Sequence, residues 1–361
     1  MTKNRKTIVL QITENCNLNC LYCYQHTKTL KVTDIDTLKN IIKDSFQQFP
    51  EYDELEFDFI GGEPLLFPDI IQEICEWTWA QNFKKPHIFF VTTNGTLLKP
   101  NFKSWVEKHK QEIWLGLSID GTKEMHDKNR CNSFDKIDVD FFLRCWPIQF
   151  VKMTVSPLTL PDMAKGVIYL HKLGFNVTCN LAYGIDWGQA KNEEILEEQL
   201  KILADYYLEN KHIVPIPLLE LPLFKLGQTQ IESYCGTGTG MAAYDINGKA
   251  YPCQMFYNTS MDKNTSLKSY DFDTLHLNYY HNCAHKVMFN ICPLCVGMNL
   301  IENNTDYLCD KNICNLMQVH FRANAYFQTK KILQKDYQDK NPERIKLSIK
   351  GIKAINDYYN S

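Results

Sequence analysis

Through the first 225 or so residues, short apolar runs alternate with longer stretches in which apolar residues recur at helical spacing. Strand-like runs fall at Thr7–Ile12, Glu54–Ile60, His87–Thr92, Ile113–Ser118, Phe150–Val155 and Asn176–Leu181. Between them, residues 34–49 place Leu38, Ile41, Ile42, Phe46 and Phe49 close to a 3.6-residue period. Pro68 opens a second helical stretch that reaches Trp79, residues 162–173 stop at Gly174, and residues 194–208 form another amphipathic run. Six β–α units in series imply parallel strands with helical crossovers. Six is two short of a closed eight-unit barrel, so the pattern predicts an α/β fold, a partial (β/α)6 TIM-like barrel, with its working site at the C-terminal ends of the strands.

Past residue 210 the pattern changes. Residues 211–230, containing IVPIPLLELPLFKLG, read as a linker or transition. From Cys235 to Cys314 the helical period fades while Cys, Gly, Asn and Tyr rise, as in a small domain organised by metal rather than by core area. A helical pattern returns at Asn315 and breaks at Asn341-Pro342. The expected domains are therefore a barrel over 1–225, a cysteine-rich domain over 226–320 and a helical segment over 321–361.

Composition narrows the function classes. The chain has 361 residues, 44% hydrophobic, with a formal net charge of −3, which gives no surface suited to nucleic acid. The start, MTKNRKTIVLQITENC, lacks an apolar signal core, and no run approaches the ~18 apolar residues of a membrane span. A cytoplasmic protein without a membrane partner is the expectation. Strand one begins by Thr7, which leaves no room for a preceding leader-binding domain.

The fourteen cysteines are unusual. A disulfide framework fits poorly with a chain this long that lacks a signal peptide. Cys75 and Cys179, on a helical and a strand-like pattern, read as buried thiols; Cys131 and Cys145 are scattered. Cys16, Cys20 and Cys23 sit together directly after strand one as C-x3-C-x2-C. Three thiolates on a short loop bind three irons of a cubane, and since a [4Fe–4S] cluster normally takes four cysteines, one iron stays open to a cofactor. A three-thiolate zinc site with a distant fourth ligand is the alternative.

The loop, with Tyr22 before its last cysteine, resembles the signature of the radical S-adenosylmethionine (SAM) superfamily. Further matches stand where that family has them. Gly61-Gly62-Glu63-Pro64 begins 38 residues after Cys23 and resembles the motif that binds the amino group of SAM. Thr93-Asn94-Gly95 follows strand three, and Ser118-Ile119-Asp120-Gly121 follows strand four. The resemblance implies that Tyr22, Gly61, Gly62, Glu63, Pro64, Asn94, Ser118 and Arg130 contact SAM, with Ser118 at its carboxylate or ribose and Arg130 at its carboxylate. Arg130 lies in Met-His-Asp-Lys-Asn-Arg, where His126 and Asp127 are weak acid–base candidates.

Soft thiolates at the density of Cys235, Cys253, Cys283, Cys292, Cys295, Cys309 and Cys314 select zinc or iron–sulfur clusters. Cys292-x2-Cys295 with Cys309 and Cys314 also fits a zinc ribbon. The stretch from Cys235 to Gly-Lys-Ala-Tyr-Pro-Cys253 resembles the start of a SPASM domain, the auxiliary-cluster domain of radical SAM enzymes that modify peptides and proteins. It implies one or two auxiliary [4Fe–4S] clusters. The second half departs from the family pattern: Lys286 stands where a cysteine is expected and the last step is shortened to Cys292-x2-Cys295. Seven cysteines do not supply the eight ligands that two cubanes need.

The reaction this implies is reductive cleavage of SAM to a 5′-deoxyadenosyl radical, hydrogen abstraction, and a cross-link or oxidised residue in a peptide, as in maturases of ribosomal peptides. A flavodoxin or ferredoxin would supply electrons, and a separate leader-binding protein is a further expected partner. Anaerobic sulfatase-maturing enzymes resemble the chain less closely. Their aspartate after the cysteine matching Cys253 is a general base, and Gln254 has no basic carboxylate. Modification of a small molecule and a non-catalytic metal scaffold are the other readings. No catalytic acid or base is assigned. Tyr234, Tyr244, Tyr251 and Tyr257 read as packing residues. The tail from Lys330 to Lys353 holds eight Lys/Arg against three Asp/Glu and reads as a solvated helix face.

Overall fold

A computed structural model describes residues 4–147, 149–226, 234–260, 280–281, 283–303, 309–334 and 341–360. The end of the 211–230 stretch, parts of the expected cysteine domain and Lys335–Lys340 of the basic tail lie outside them. The chain divides into two compact units: Met1–Ile119 with His126–Lys152 and Gly236–Thr265, and Asp120–Met125 with Met153–Cys235 and Ser266–Ser361.

All six anticipated strands form. In the first unit, β1 (Arg5–Thr13), β2 (Glu54–Gly61), β3 (His87–Thr93) and β4 (Ile113–Leu117) lie parallel in sequence order. The crossover helices are α1 (Ile35–Gln48), α2 (Pro68–Ala80) and α3 (Pro100–His109). β5 (Phe150–Val155) and β6 (Asn176–Leu181) pair separately, and a single parallel bridge, Ser118 to Lys152, links the end of β4 to β5. Two strands escaped the sequence pattern: β7 (Met241–Tyr244) runs parallel to β1 on its free side, and β8 (Ala250–Tyr251) pairs antiparallel to β7.

Strand periodicity gives this sheet two unlike faces. The register Ile8–Phe57–Phe89–Ile113 and Leu10–Phe59–Val91–Leu115 puts fully buried residues on the helix side. There Phe59 and Phe89 stack with ring centroids 5.6 Å apart, while Phe46 of α1 meets Phe57 and Trp79 of α2 meets Phe89. The opposite face carries Asp58, Phe90 and Thr92, which keep some accessible surface. Gly116 belongs to this face because the Phe90 ring occupies the space its Cβ would take.

The second unit is mostly helical. It holds α6 (Met163–Leu173) and α7 (Asn192–Glu209) among its helices, the short α4 (Lys123–Asn129) and α5 (Val139–Cys145) having preceded them in the chain. α8 (Val296–Asn303), α9 (Lys311–Ile332) and α10 (Pro342–Asn360) follow. α6 ends at Gly174, whose φ of 104° only glycine adopts readily, and α10 starts at the anticipated Asn341-Pro342 break. The Pro/Leu-rich stretch after residue 210 is not a linker as far as Leu226. Leu218, Leu219, Leu221 and Leu223 are buried, and Asn324 of α9 donates to Leu218 O at 2.6 Å and accepts from Leu221 N at 2.9 Å. Among the described residues, no helix is long and apolar enough to cross a membrane.

Candidate active site

The cysteine loop leaves β1 through a closed stem. Thr33 N donates to Ile12 O at 2.8 Å, Thr13 Oγ1 donates to Lys31 O at 2.8 Å, and Asn15 N donates back to Thr13 Oγ1 at 3.0 Å. Within the loop, Cys23 N bonds to Cys20 O at 3.1 Å, and Lys28 Nζ donates to Leu18 O at 2.6 Å and to Asn19 Oδ1 at 3.2 Å. Cys16, Cys20 and Cys23 are half-buried. Burial pushes the Cys16 thiol up, with Glu63 and Cys23 adding to the rise and Lys28 opposing it.

The two glycines after β2 are needed for close approach. A Cβ on Gly62 would fall on Asn15 O and within 2.8 Å of Cys16 Cβ, and one on Gly61 would lie 2.7 Å from Thr13 O. Bare backbone instead bonds the loop directly: Gly62 N donates to Thr13 O at 2.9 Å and Glu63 N to Asn15 O at 2.8 Å. Glu63 is buried, and its carboxyl accepts from Thr93 Oγ1 at 2.7 Å, Asn94 N at 2.8 Å and Leu65 N at 3.0 Å. Burial raises it to about 7, opposed by these bonds and by Arg130. Glu63 is thus a strut that fixes the turn after β3. From that turn Asn94 Nδ2 donates to Asn17 Oδ1 at 2.9 Å, and Asn17 Nδ2 donates to Thr96 Oγ1 at 2.8 Å. Arg130 lies 5.4 Å from the Tyr22 ring centroid, and Ser118, nearly buried, bonds through its N–H to Thr93 O at 2.9 Å. Every residue assigned to SAM by sequence, with the three cysteines, falls in the first unit. His126 and Asp127 serve the fold: His126 Nε2 pairs with Ser133 Oγ at 2.9 Å, and Asp127 Oδ1 accepts from Phe134 N at 3.0 Å.

The Radical SAM superfamily profile matches residues 10–198, more than half of the 361-residue chain. The chain belongs to the radical SAM superfamily. Its cofactors are accordingly a [4Fe–4S] cluster and SAM. A cysteine-type anaerobic sulfatase-maturating enzyme of Clostridium perfringens is 23% identical over 325 residues, covering 79% of this chain and 86% of the relative. The subtilosin biosynthesis protein AlbA of Bacillus subtilis is 23% identical over 335 residues, covering 84% and 69%. Native anSMEcpe with bound AdoMet superimposes with a TM-score of 0.69 at 20% identity, over 91% of this chain and all of that one. Against two further curated relatives the match spans 61% and 44% of their length.

The loop fits the superfamily's cluster in its donor set and in its bracing. Three thiols sit within eight residues, and backbone N–H groups after β2 and the Asn94 side chain after β3 brace residues 13–17. The radical SAM fold also explains what sequence reasoning missed at the site. Asn17 sits inside the cysteine motif, and an amide between two ligand positions was its one visible signal. Asp58 gave none. It accepts from Thr92 Oγ1 at 3.3 Å, while Lys152 Nζ donates to Thr92 Oγ1 at 3.0 Å. Burial raises the Asp58 carboxyl to about 7, with Lys152 opposing.

The remaining thiols separate by neighbourhood. In the second unit, Cys314 is hydrogen-bonded to Cys309 and lies in the field of Cys292 and Cys283, so its thiol is pushed far up. Cys283 in turn feels Cys309. Cys295 is raised to about 12 by burial, with nearby Cys235 adding to the rise. Cys253 lies in the first unit just after β8, next to Tyr24 and Tyr257. Cys75 and Cys179 are fully buried, in keeping with ordinary core thiols. Of the four tyrosines, Tyr251 and Tyr257 are buried and Tyr234 is exposed.

Proposed function

We propose that this radical SAM enzyme matures a peptide, introducing a cross-link or an oxidised residue. One observation carries the reading: a braced three-thiol loop is joined in the same chain by a second cysteine-rich segment, where Cys314 is hydrogen-bonded to Cys309 and lies in the field of Cys292 and Cys283. Enzymes named for subtilosin biosynthesis and for sulfatase maturation align with most of this chain. In this reading Cys16, Cys20 and Cys23 hold the SAM-binding cluster, and Gly61–Pro64, Asn94, Ser118, Tyr22 and Arg130 surround SAM. Cys283, Cys292, Cys309 and Cys314 hold an auxiliary cluster, and Cys235 and Cys295 supply thiols for a second, incompletely ligated one.

When bound, the cluster and SAM supply a 5′-deoxyadenosyl radical able to take a hydrogen atom from an unactivated C–H bond. The chain's part is orientation, water exclusion and proton handling. The apolar helix-side face keeps the sheet rigid, and the Asp58 carboxyl on the opposite face takes up the proton released as the product forms. Lys152 and Thr92 hold that carboxyl in place. A flavodoxin- or ferredoxin-type reductant feeds the first cluster, and a leader-binding partner presents the peptide.

Sulfatase maturation is the second reading, favoured by the fold match to anSMEcpe. It must do without a carboxylate after Cys253, because Gln254 stands there and its Oε1 is buried with no hydrogen-bond partner among the described residues. The test is anaerobic reconstitution with dithionite, SAM and two sets of peptides: short peptides encoded beside the gene, and sulfatase-type cysteine and serine peptides. Peptide maturation predicts that a gene-neighbour peptide loses hydrogen atoms as 5′-deoxyadenosine forms. Asp58→Asn should then lower product by about 10²–10⁴-fold, the usual share of a general acid or base, while 5′-deoxyadenosine still appears. Conversion of the sulfatase-type peptides alone would establish the second reading.

A further inference from the structure

The segment after α4 grips the outside of the cysteine loop. Asn129 O accepts from Leu21 N at 2.9 Å, and the Arg130 guanidinium lies over the Tyr22 ring. Cys131 Sγ both accepts from Asn19 N at 3.3 Å and donates to Asn19 O at 3.0 Å. Three consecutive residues therefore hold three loop residues that lie between or beside the cluster-binding cysteines.

The backbone at Cys131 shows that this contact is costly. α4 stops with Arg130 N bonded to His126 O at 2.7 Å and Asn132 N bonded to Asp127 O at 3.2 Å. The second bond is the six-to-one closure of a Schellman stop, whose left-handed position glycine normally fills. Here Cys131 fills it, at a φ of 57°. A side chain in this region is unfavourable unless surrounding contacts hold it there. The helix stop alone would be served better by glycine, and the thiol's two bonds to the Asn19 peptide are what glycine would forfeit.

We propose that residues 129–131 form a clasp on the cluster loop, with Cys131 as its positioning residue. The thiol locks the Asn19 peptide, and so the span from Cys16 to Cys20, in the ligand-presenting conformation before any iron is bound. Cys131 is not itself a ligand. This rests on the assignment of Cys16, Cys20 and Cys23 to the cluster.

Cys131→Gly is the informative variant, because glycine suits the backbone and folding is preserved. Two measurements apply to the full-length protein. In the iron-free state, exchange of the Asn19 amide hydrogen should quicken about fivefold, the factor one ordinary hydrogen bond is worth. After anaerobic reconstitution, iron content should equal wild type, but iron release to a chelator should be several-fold faster. Cys131→Ser, which keeps a donor and an acceptor, should restore most of both. Unchanged exchange and release in Cys131→Gly would overturn the proposal. So would a drop in bound iron that serine does not rescue, which would make Cys131 a ligand. Failure of the underlying assignment looks different: Cys16→Ala would then retain the SAM-responsive cluster.

Discussion

The two groups of cysteines are held in contrasting ways. Around Cys16, Cys20 and Cys23, the protein fixes the loop with its own bonds: two glycines that let backbones touch, Glu63 as a buried strut, Asn94 against Asn17, and Cys131 against Asn19. Around Cys314 the contacts are fewer: it is hydrogen-bonded to Cys309, which raises the cost of ionising it, and its Sγ accepts from Gln318 Nε2 at 4.0 Å. On the proposed assignment, the first site would be built before the metal arrives, whereas the second would be completed by it, so that there binding free energy would also be folding free energy.

The largest expected effect breaks the first region alone. Gly62→Ala places a methyl on Asn15 O, so the loop must move; iron at the first site and SAM cleavage should both be lost, while iron bound by the C-terminal cysteines stays. Site-resolved Mössbauer or electron paramagnetic resonance spectra check this. Next in size, removing iron should loosen the C-terminal cysteine segments far more than the loop after β1, read by hydrogen exchange of peptides covering Cys283–Cys314 and Cys16–Cys23. Cys309→Ala should reproduce the C-terminal loosening without touching the first site. Equal loosening of both segments would erase the contrast.

The smallest effect uses acid. His320 of α9 is buried, and burial lowers it to about 4 from an ordinary 6.5, opposed by the Leu218 backbone. A group held neutral in this way stabilises fully above pH 6.5, and that stability is lost as pH falls toward 4, by on the order of 3 kcal/mol. Asp58 runs the opposite way. Its native carboxyl keeps a proton up to about 7, against an ordinary 3.8, so its contribution weakens as pH rises through that window. Between pH 4 and 6.5, acidification should therefore destabilise the second unit relative to the first. Denaturant unfolding of wild type and His320→Leu, followed by a probe in each unit, measures it; the variant should lose the acid-side decline.

Much of this was legible in the sequence, for identifiable reasons. The six strands and their helices showed because one sheet face is uniformly apolar, from Ile8 and Phe57 to Phe89 and Ile113, and because Pro68, Gly174 and Pro342 mark real boundaries. β7 did not show, since four residues with no clear alternation join β1 only through a pairing more than 200 residues distant. The leucines at 218–223 read as a linker because closely spaced prolines mimic one; Asn324, a hundred residues later, ties down their backbone. The cysteine triplet was plain, but its supports were not. Asn17, Asp58 and Cys131 act through partners far along the chain, and the division of the C-terminal thiols depends on how irregular segments fold back.

The central claim is that Cys16, Cys20 and Cys23 hold a [4Fe–4S] cluster with one iron left for SAM. The direct measurement is the electron paramagnetic resonance spectrum of the reduced, reconstituted protein with and without SAM, with the C-terminal cysteines replaced so that only the first site is loaded. The account predicts a [4Fe–4S]⁺ signal that changes shape when SAM is added and that disappears in Cys16→Ala. Zinc at these cysteines, or a cluster signal indifferent to SAM, would contradict it.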